Sequence, residues 1–203
     1  MNKMIRPSVL IFAVGALAFS LGYIAFPHDE GDHFSDVDYS GLELDPGTEA
    51  ASFALERFDG SAVSPADFEG KIVVVDFWAT WCGPCLTEVP AYNELHERYR
   101  DAGVELLGVT LQSGSAEQVS EWLQNPIRIG TLEFSLDYPV VMGNEEIEYA
   151  WGPIYGFPTT YLVDHEWKIR KKWLGAVPDK SEQLRVLIEQ LLLERDGAQA
   201  SGN

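Results

Sequence analysis

Apolar positions along this chain fall into two patterns: short runs rich in β-branched residues, and longer stretches with helical spacing. Val73, Val74 and Val75 form a continuous run ahead of Phe77, which suits a strand covered on both faces, as in the middle of an α/β sheet. Val104 to Leu111 and Thr159 to Val163 repeat that pattern, and Tyr138 to Met142 is a shorter version. Helical spacing links Leu86, Val89, Tyr92, Leu95 and Tyr99, with Gly103 as the terminator. Pro90 lies inside this pattern and is expected to kink the helix. A short helix over Ala116, Val119, Trp122 and Leu123 ends at Asn125-Pro126, and Glu145 to Trp151 makes another. Ser181 to Arg195 carries Leu184, Leu187, Ile188, Leu191 and Leu192 as one face of a C-terminal helix, with Gly197 beyond its end. Ser52 to Glu56 and Ala62 to Val63 flank Phe58-Asp59-Gly60, a turn signal that predicts a β-hairpin. Asp164 to Trp167 reads as a turn joining the Thr159 to Val163 strand to a partner over Lys168 to Leu174, while Ile127 to Ser135 has no clear period and stays unassigned. Alternating strands and helices give an α/β domain.

The first residues follow a different rule. Lys3 and Arg6 precede a stretch from Ser8 to Phe26 with no charged residue, and at about 1.5 Å per residue it matches the hydrocarbon thickness of a bilayer. Ala16-Leu17-Ala18 resembles a signal-peptide cleavage site, but cutting there would leave an apolar new N-terminus. An uncleaved anchor over 1–27 is the expectation. Basic residues before the span and acids after it put the body of the protein outside the cytoplasm, in the periplasm or at the cell exterior. Residues 28–48 are rich in acids and lack Lys and Arg, as a solvated tether does; His28 and His33 there read as linker residues. The folded domain is expected over 49–197 and a disordered tail over 198–203. Hydrophobic content of 46% supplies a core, and a formal charge of -18 excludes nucleic acid as a partner.

Candidate chemistry is concentrated after the first core strand, at Trp81-Cys82-Gly83-Pro84-Cys85. Gly83 permits a tight turn, and Pro84 has its φ already set for the first turn of a helix. Cys82 then sits at a helix N-terminus, where unpaired N–H groups and the dipole favour a thiolate. Cys85, one turn further in, is placed to resolve a mixed disulfide. A structural zinc site needs four ligands, and the chain has two cysteines and four scattered histidines. Covalent haem attachment needs His after the second cysteine, where Leu86 stands. A permanent structural disulfide remains conceivable, although so short a loop restricts the unfolded chain little.

FWATWCGPC resembles the thioredoxin superfamily motif, and WCGPCLTEVP is similar to its membrane-anchored, extracytoplasmic branch of TlpA, ResA and CcmG type. The likeness runs over about residues 48 to 195. It implies a thioredoxin-like fold, a central mixed sheet flanked by helices with an N-terminal β-hairpin. It also implies a central insertion of the branch's type, built from Tyr138 to Met142 and Glu145 to Trp151. The implied activity is thiol-disulfide exchange with the Cys82–Cys85 disulfide as redox centre and no other cofactor or metal. Implied partners are a disulfide-containing client, with apocytochrome c in cytochrome c maturation as the leading case, and an upstream membrane dithiol donor.

Four further features complete the expected site. Asp76 lies on an otherwise apolar strand six residues before Cys82, so it either points into the protein beneath the cysteines, where burial raises a carboxylate's pKa toward that of a proton acceptor, or sits at the strand end in water. It also matches the buried aspartate of thioredoxin. Glu88, one turn after Cys85, either helps deprotonate it or complements the helix dipole; the resemblance favours the first. Gly156-Phe157-Pro158-Thr159-Thr160 resembles the family's cis-proline loop, which pairs with an extended substrate, so Phe157 and Pro158 join Trp81, Gly83 and Pro84 as substrate contacts. Trp78 either covers the disulfide or packs in the core. One departure is Trp167, where the family often has glycine. Two other functions stay open: a thiol peroxidase, although Thr80 stands two and not three residues before Cys82, and a copper-delivery module using the two thiolates.

Overall fold

The computed structural model of the chain describes residues 47–152 and 154–201. The expected anchor and nearly all of the tether lie outside these residues. Among the described residues no helix is long and apolar enough to cross a membrane.

The all-buried run becomes the central strand β3 (Ile72–Trp78), no residue of which reaches solvent appreciably. β4 (Val104–Thr110) pairs with it in parallel and β8 (Thr159–Val163) in antiparallel register, with Asp76 opposite Gly108 on one side and Thr160 on the other. β9 (Ile169–Leu174) flanks β8, and β7 (Val140–Met142) runs parallel to β4. The expected hairpin, β1 (Leu55–Arg57) and β2 (Ala62–Val63), completes a mixed seven-stranded sheet in the order β2-β1-β7-β4-β3-β8-β9. Gly60 takes a left-handed φ of 84° in its turn, and the Asp59 carboxylate accepts from the Ser61 N–H and hydroxyl.

Because successive strand residues face opposite sides, β3 feeds two cores. Val73, Val75 and Phe77 join Phe53, Phe68, Trp151 and Tyr161 on one face. Ile72 and Val74 join Val89, Tyr92, Leu95, Leu184 and Ile188 on the other, from α1 (Gly83–Tyr99) and α4 (Lys180–Ser201). Asp76 shares the parity of Ile72 and Val74, so it faces α1 and α4. α2 (Ala116–Leu123) is capped by Ser115 and Gln118 in a capping box, and α3 (Glu145–Ala150) by Asn144. α1 runs through Pro90 as a single helix, continues as a 3-10 turn over Arg100–Ala102 and stops at Gly103, φ 81°.

Two boundaries and one unassigned stretch differ from expectation. Gly47 and Thr48 already belong to the domain, since Gly47 donates to the Ile169 carbonyl and Thr48 accepts from the Ile169 N–H, both at 2.8 Å. Residues 47 and 48 therefore belong to the fold and not to the expected tether. α4 passes through Gly197 to Ser201, so 198–201 are helical and not part of a disordered tail. One glycine costs a helix only about 1 kcal/mol, and Ala198, Gln199 and Ala200 beyond it favour helix. The unassigned stretch holds a separate hairpin, β5 (Ile127–Ile129) and β6 (Leu132–Phe134), turned by Gly130 and Thr131 with Gly130 at φ 60°. Trp167 occupies its turn at φ 63°, in the left-handed conformation that glycine adopts freely. The Asp164 carboxylate accepts from the Glu166 and Lys168 N–H groups, which fixes the turn around it.

Candidate active site

Strand β3 delivers the chain to Ala79, and Cys82 becomes the N-cap of α1, its Sγ accepting from the Cys85 N–H at 3.2 Å. The two cysteines are joined in a disulfide. Both are buried, Cys82 4% and Cys85 3% exposed, so Cys82 is not the freely exposed group that a helix start suggests. Access separates them instead. A cavity of about 360 Å³ is lined by Cys82, Gly83 and Pro84 together with Trp81, Tyr155 and Phe157, and Cys85 is not in its wall.

The loop around the cysteines is wired to the loop after β4. Trp81 Nε1 donates to the Gln112 carbonyl at 2.8 Å, and the Thr80 N–H donates to Ser113 Oγ at 3.0 Å. Trp81 is thereby held 62% exposed, edge-on to Phe157 at 5.8 Å. Trp78 differs: it is buried against Trp122 and the cysteines and belongs to the core. The Phe157–Pro158 peptide bond is cis, and Thr159 Oγ1 donates to the Gly156 carbonyl to close that loop.

On the α1 and α4 side of the sheet, five side chains from four elements meet. Asp76 is 4% exposed, and its Oδ1 accepts from Thr160 Oγ1 at 2.8 Å. Lys180 Nζ contacts Glu88 Oε2 at 2.8 Å and Thr160 Oγ1 at 3.1 Å. Tyr92 donates to Glu88 at 3.3 Å and lies 3.1 Å from the Thr160 hydroxyl. Burial pushes the Asp76 carboxyl up to about 7, against the charge of Lys180 and the Thr160 hydrogen bond, with the Glu88 charge adding to the rise. Glu88 also lies above the usual range, burial outweighing the Lys180 hydrogen bond and charge. For the Tyr92 and Tyr138 hydroxyls, burial first and the neighbouring carboxylates second raise the pKa well above that of a free phenol.

The structure thus gathers Trp81, Gly83, Pro84 and Phe157 around Cys82, and Asp76 and Glu88 around Lys180. Glu88 is neither a plain dipole complement nor a free acid, because it is the partner of a buried ammonium. Sequence reasoning missed Lys180, Thr160, Gln112 and Ser113. Strand parity could have flagged Thr160 opposite Asp76, whereas Lys180 lies 92 positions beyond Glu88 with no local signal.

Residues 46–172 match the AhpC/TSA family. The chain is 29% identical over 189 residues to the thiol-disulfide oxidoreductase ResA of Bacillus cereus, covering 92% of this chain and 94% of that protein. It is 31% identical over 179 residues to ResA of Oceanobacillus iheyensis, covering 85% and 81%. Among solved structures, a Chlorobium tepidum protein assigned as the thiol:disulfide interchange protein DsbE superposes with a TM-score of 0.63 at 28% identity, over 73% of this chain and 99% of that one. With this fold around a buried Cys-x-x-Cys disulfide, the chain belongs to the AhpC/TSA family, as a ResA-like thiol-disulfide oxidoreductase whose redox centre is Cys82–Cys85.

Proposed function

We propose that the protein is a membrane-tethered reductant of protein disulfides outside the cytoplasm, with apocytochrome c, reduced before haem attachment, as its client. One observation carries the reading: Cys82, alone of the pair, lines a cavity walled by exposed Trp81 and the cis-proline loop. An extended polypeptide lying there meets Cys82 first. In the reduced protein the Cys82 thiolate attacks one client sulfur, forming a mixed disulfide while the other client sulfur leaves as thiolate. Cys85 then loses its proton to the acid cluster and attacks Cys82 Sγ. The Cys82–Cys85 disulfide forms, the second client sulfur leaves, and the client has gained two electrons. A membrane dithiol donor returns the pair to its reduced state. Tethering and location rest on the charge-free run from Ser8 to Phe26 behind Lys3 and Arg6.

The reduction potential of the full chain in detergent tests the direction of flow. A reductant falls near thioredoxin's value of about -270 mV, whereas a potential near about -120 mV is that of a dedicated oxidant and overturns the reading. Brief iodoacetamide treatment of the reduced protein should label Cys82 ahead of Cys85, and a Cys-x-x-Cys-His peptide disulfide should be reduced. Faster turnover with hydrogen peroxide than with that peptide would place the protein among thiol peroxidases. Stoichiometric Cu(I) uptake without disulfide turnover would make it a copper module.

A further inference from the structure

Lys180 breaks two local rules. It opens helix α4, where the positive end of the dipole disfavours a cation, and it follows Asp179, whose φ of 56° is left-handed. It is also buried, its side chain 2% exposed, although an unpaired buried ammonium is among the costliest groups a core can hold. Residues that violate local preference without a packing gain mark places where function holds them.

Its hydrogen bonds show what it is held for. An ammonium has three protons and no acceptor, and Lys180 Nζ reaches three acceptors: Glu88 Oε2 at 2.8 Å, Thr160 Oγ1 at 3.1 Å and the Gly175 carbonyl at 3.5 Å. Thr160 spends its single proton on Asp76 Oδ1 at 2.8 Å. One cation therefore touches Glu88 directly and Asp76 through one hydroxyl. The charged and titratable groups around this point are Asp76 from β3, Glu88 and Tyr92 from α1, Tyr138 ahead of β7, Lys180 itself, and Asp179 beside it in the wall of the adjoining groove. Outside them, a groove of about 150 Å³ lined by Thr87, Glu88, Tyr92 and Lys180 opens the cluster toward solvent, and none of its lining residues lines the cysteine cavity.

We propose that Lys180 is a positioning residue that couples Glu88 and Asp76 into one proton-exchanging unit, so that the cysteine pair takes and returns protons through both acids together. The groove is then the path by which those protons reach water. This rests on the reading that the acid cluster serves Cys85, but it concerns only how the acids are joined.

The test is the pH dependence of the Cys82–Cys85 reduction potential from pH 5 to 9, measured on the full chain in detergent, which needs no client. Lys180→Met removes the charge and keeps the length. It should move the inflection of the acid cluster up by one pH unit or more, a tenfold loss of acidity, and Lys180→Arg should restore at least half of that shift. Thr160→Val, nearly the same shape, leaves the Glu88 pair intact and cuts the link to Asp76. It should raise the upper inflection alone by half a unit or more. A Lys180→Met profile superimposable on wild type overturns the proposal. Should Lys180→Met not fold, an unchanged Thr160→Val profile overturns it equally. Failure of the wild-type protein to reduce a disulfide peptide would refute the functional reading and leave this titration readable.

Discussion

Glu88 contacts the Lys180 ammonium directly and Asp76 is linked to it through Thr160, and substitutions at the two should separate by sign. The Asp76 carboxyl is raised from its ordinary 3.8 to about 7, so the folded protein keeps a proton that the unfolded chain has released. Stability therefore falls as pH rises between those values. Asp76→Asn removes that loss. The variant should match wild type near pH 4 and exceed it above pH 7, by at most about 4 kcal/mol at 1.36 kcal/mol per unit. Urea denaturation at both pH values checks this, and an equal gain at both would deny that ionisation is the cause. Relief of the same buried charge should lower the apparent pKa of the cysteine pair, read as a property of the coupled set. Glu88→Gln acts differently, because it strands the Lys180 charge in the interior. A loss on the order of 3 kcal/mol is expected from breaking a buried pair, with slower resolution of the mixed disulfide and the thiolate fraction of Cys82 nearly unchanged. Single-turnover kinetics showing wild-type resolution in Glu88→Gln would remove Glu88 from the proton path.

At the scale of elements, the turn from Asp164 to Trp167 balances backbone against packing. A left-handed residue other than glycine costs roughly 1–2 kcal/mol, yet Trp167 keeps φ 63° because its ring reaches Phe53, Phe68 and Trp151, all at 6.2 Å between centroids. Truncating a large core aromatic costs roughly 3–5 kcal/mol, less at a half-buried site. Trp167→Gly should therefore lower stability by about 1–3 kcal/mol while leaving disulfide turnover intact. A denaturation midpoint above wild type would mean that the backbone cost outweighs the packing. Helix α4 follows similar arithmetic: Gly197 alone does not stop it, since its first turns are fixed by Leu184, Ile188 and Leu191 in the core. The β5–β6 hairpin escaped the sequence reading because Gly130-Thr131 is a weak turn signal between three-residue strands, one of them with no buried residue.

For the whole molecule, where the chemistry takes place turns on the membrane anchor expected over residues 1–27. Residues 1–27 are expected to stay attached and hold the protein to the membrane, leaving all of it in the pelleted fraction after high-salt washing. Recovery from a soluble extract of a mature chain beginning after Ala18 would show a cleaved signal peptide instead. Nothing in the redox site depends on that outcome, since every residue of the cysteine cavity and the acid cluster lies within 76–180.

Sequence alone determined the central strand, the helix that Cys82 caps, the nucleophile and resolving cysteine as candidates, and the burial of Asp76. Each follows from side-chain periodicity or from helix-end chemistry within about ten residues. Resemblance added the cis-proline loop, which faces the site from more than 70 positions away. Only the tertiary structure decided that Glu88 is paired with Lys180 and that Thr160 links that same ammonium to Asp76. A buried cation is invisible to hydrophobic patterning, because on its own helix it reads as one more polar residue at a solvated start. Its burial is imposed by α1 and β8 packing over it, and the partners that make that burial tolerable come from strands and helices that meet only once the sheet has formed.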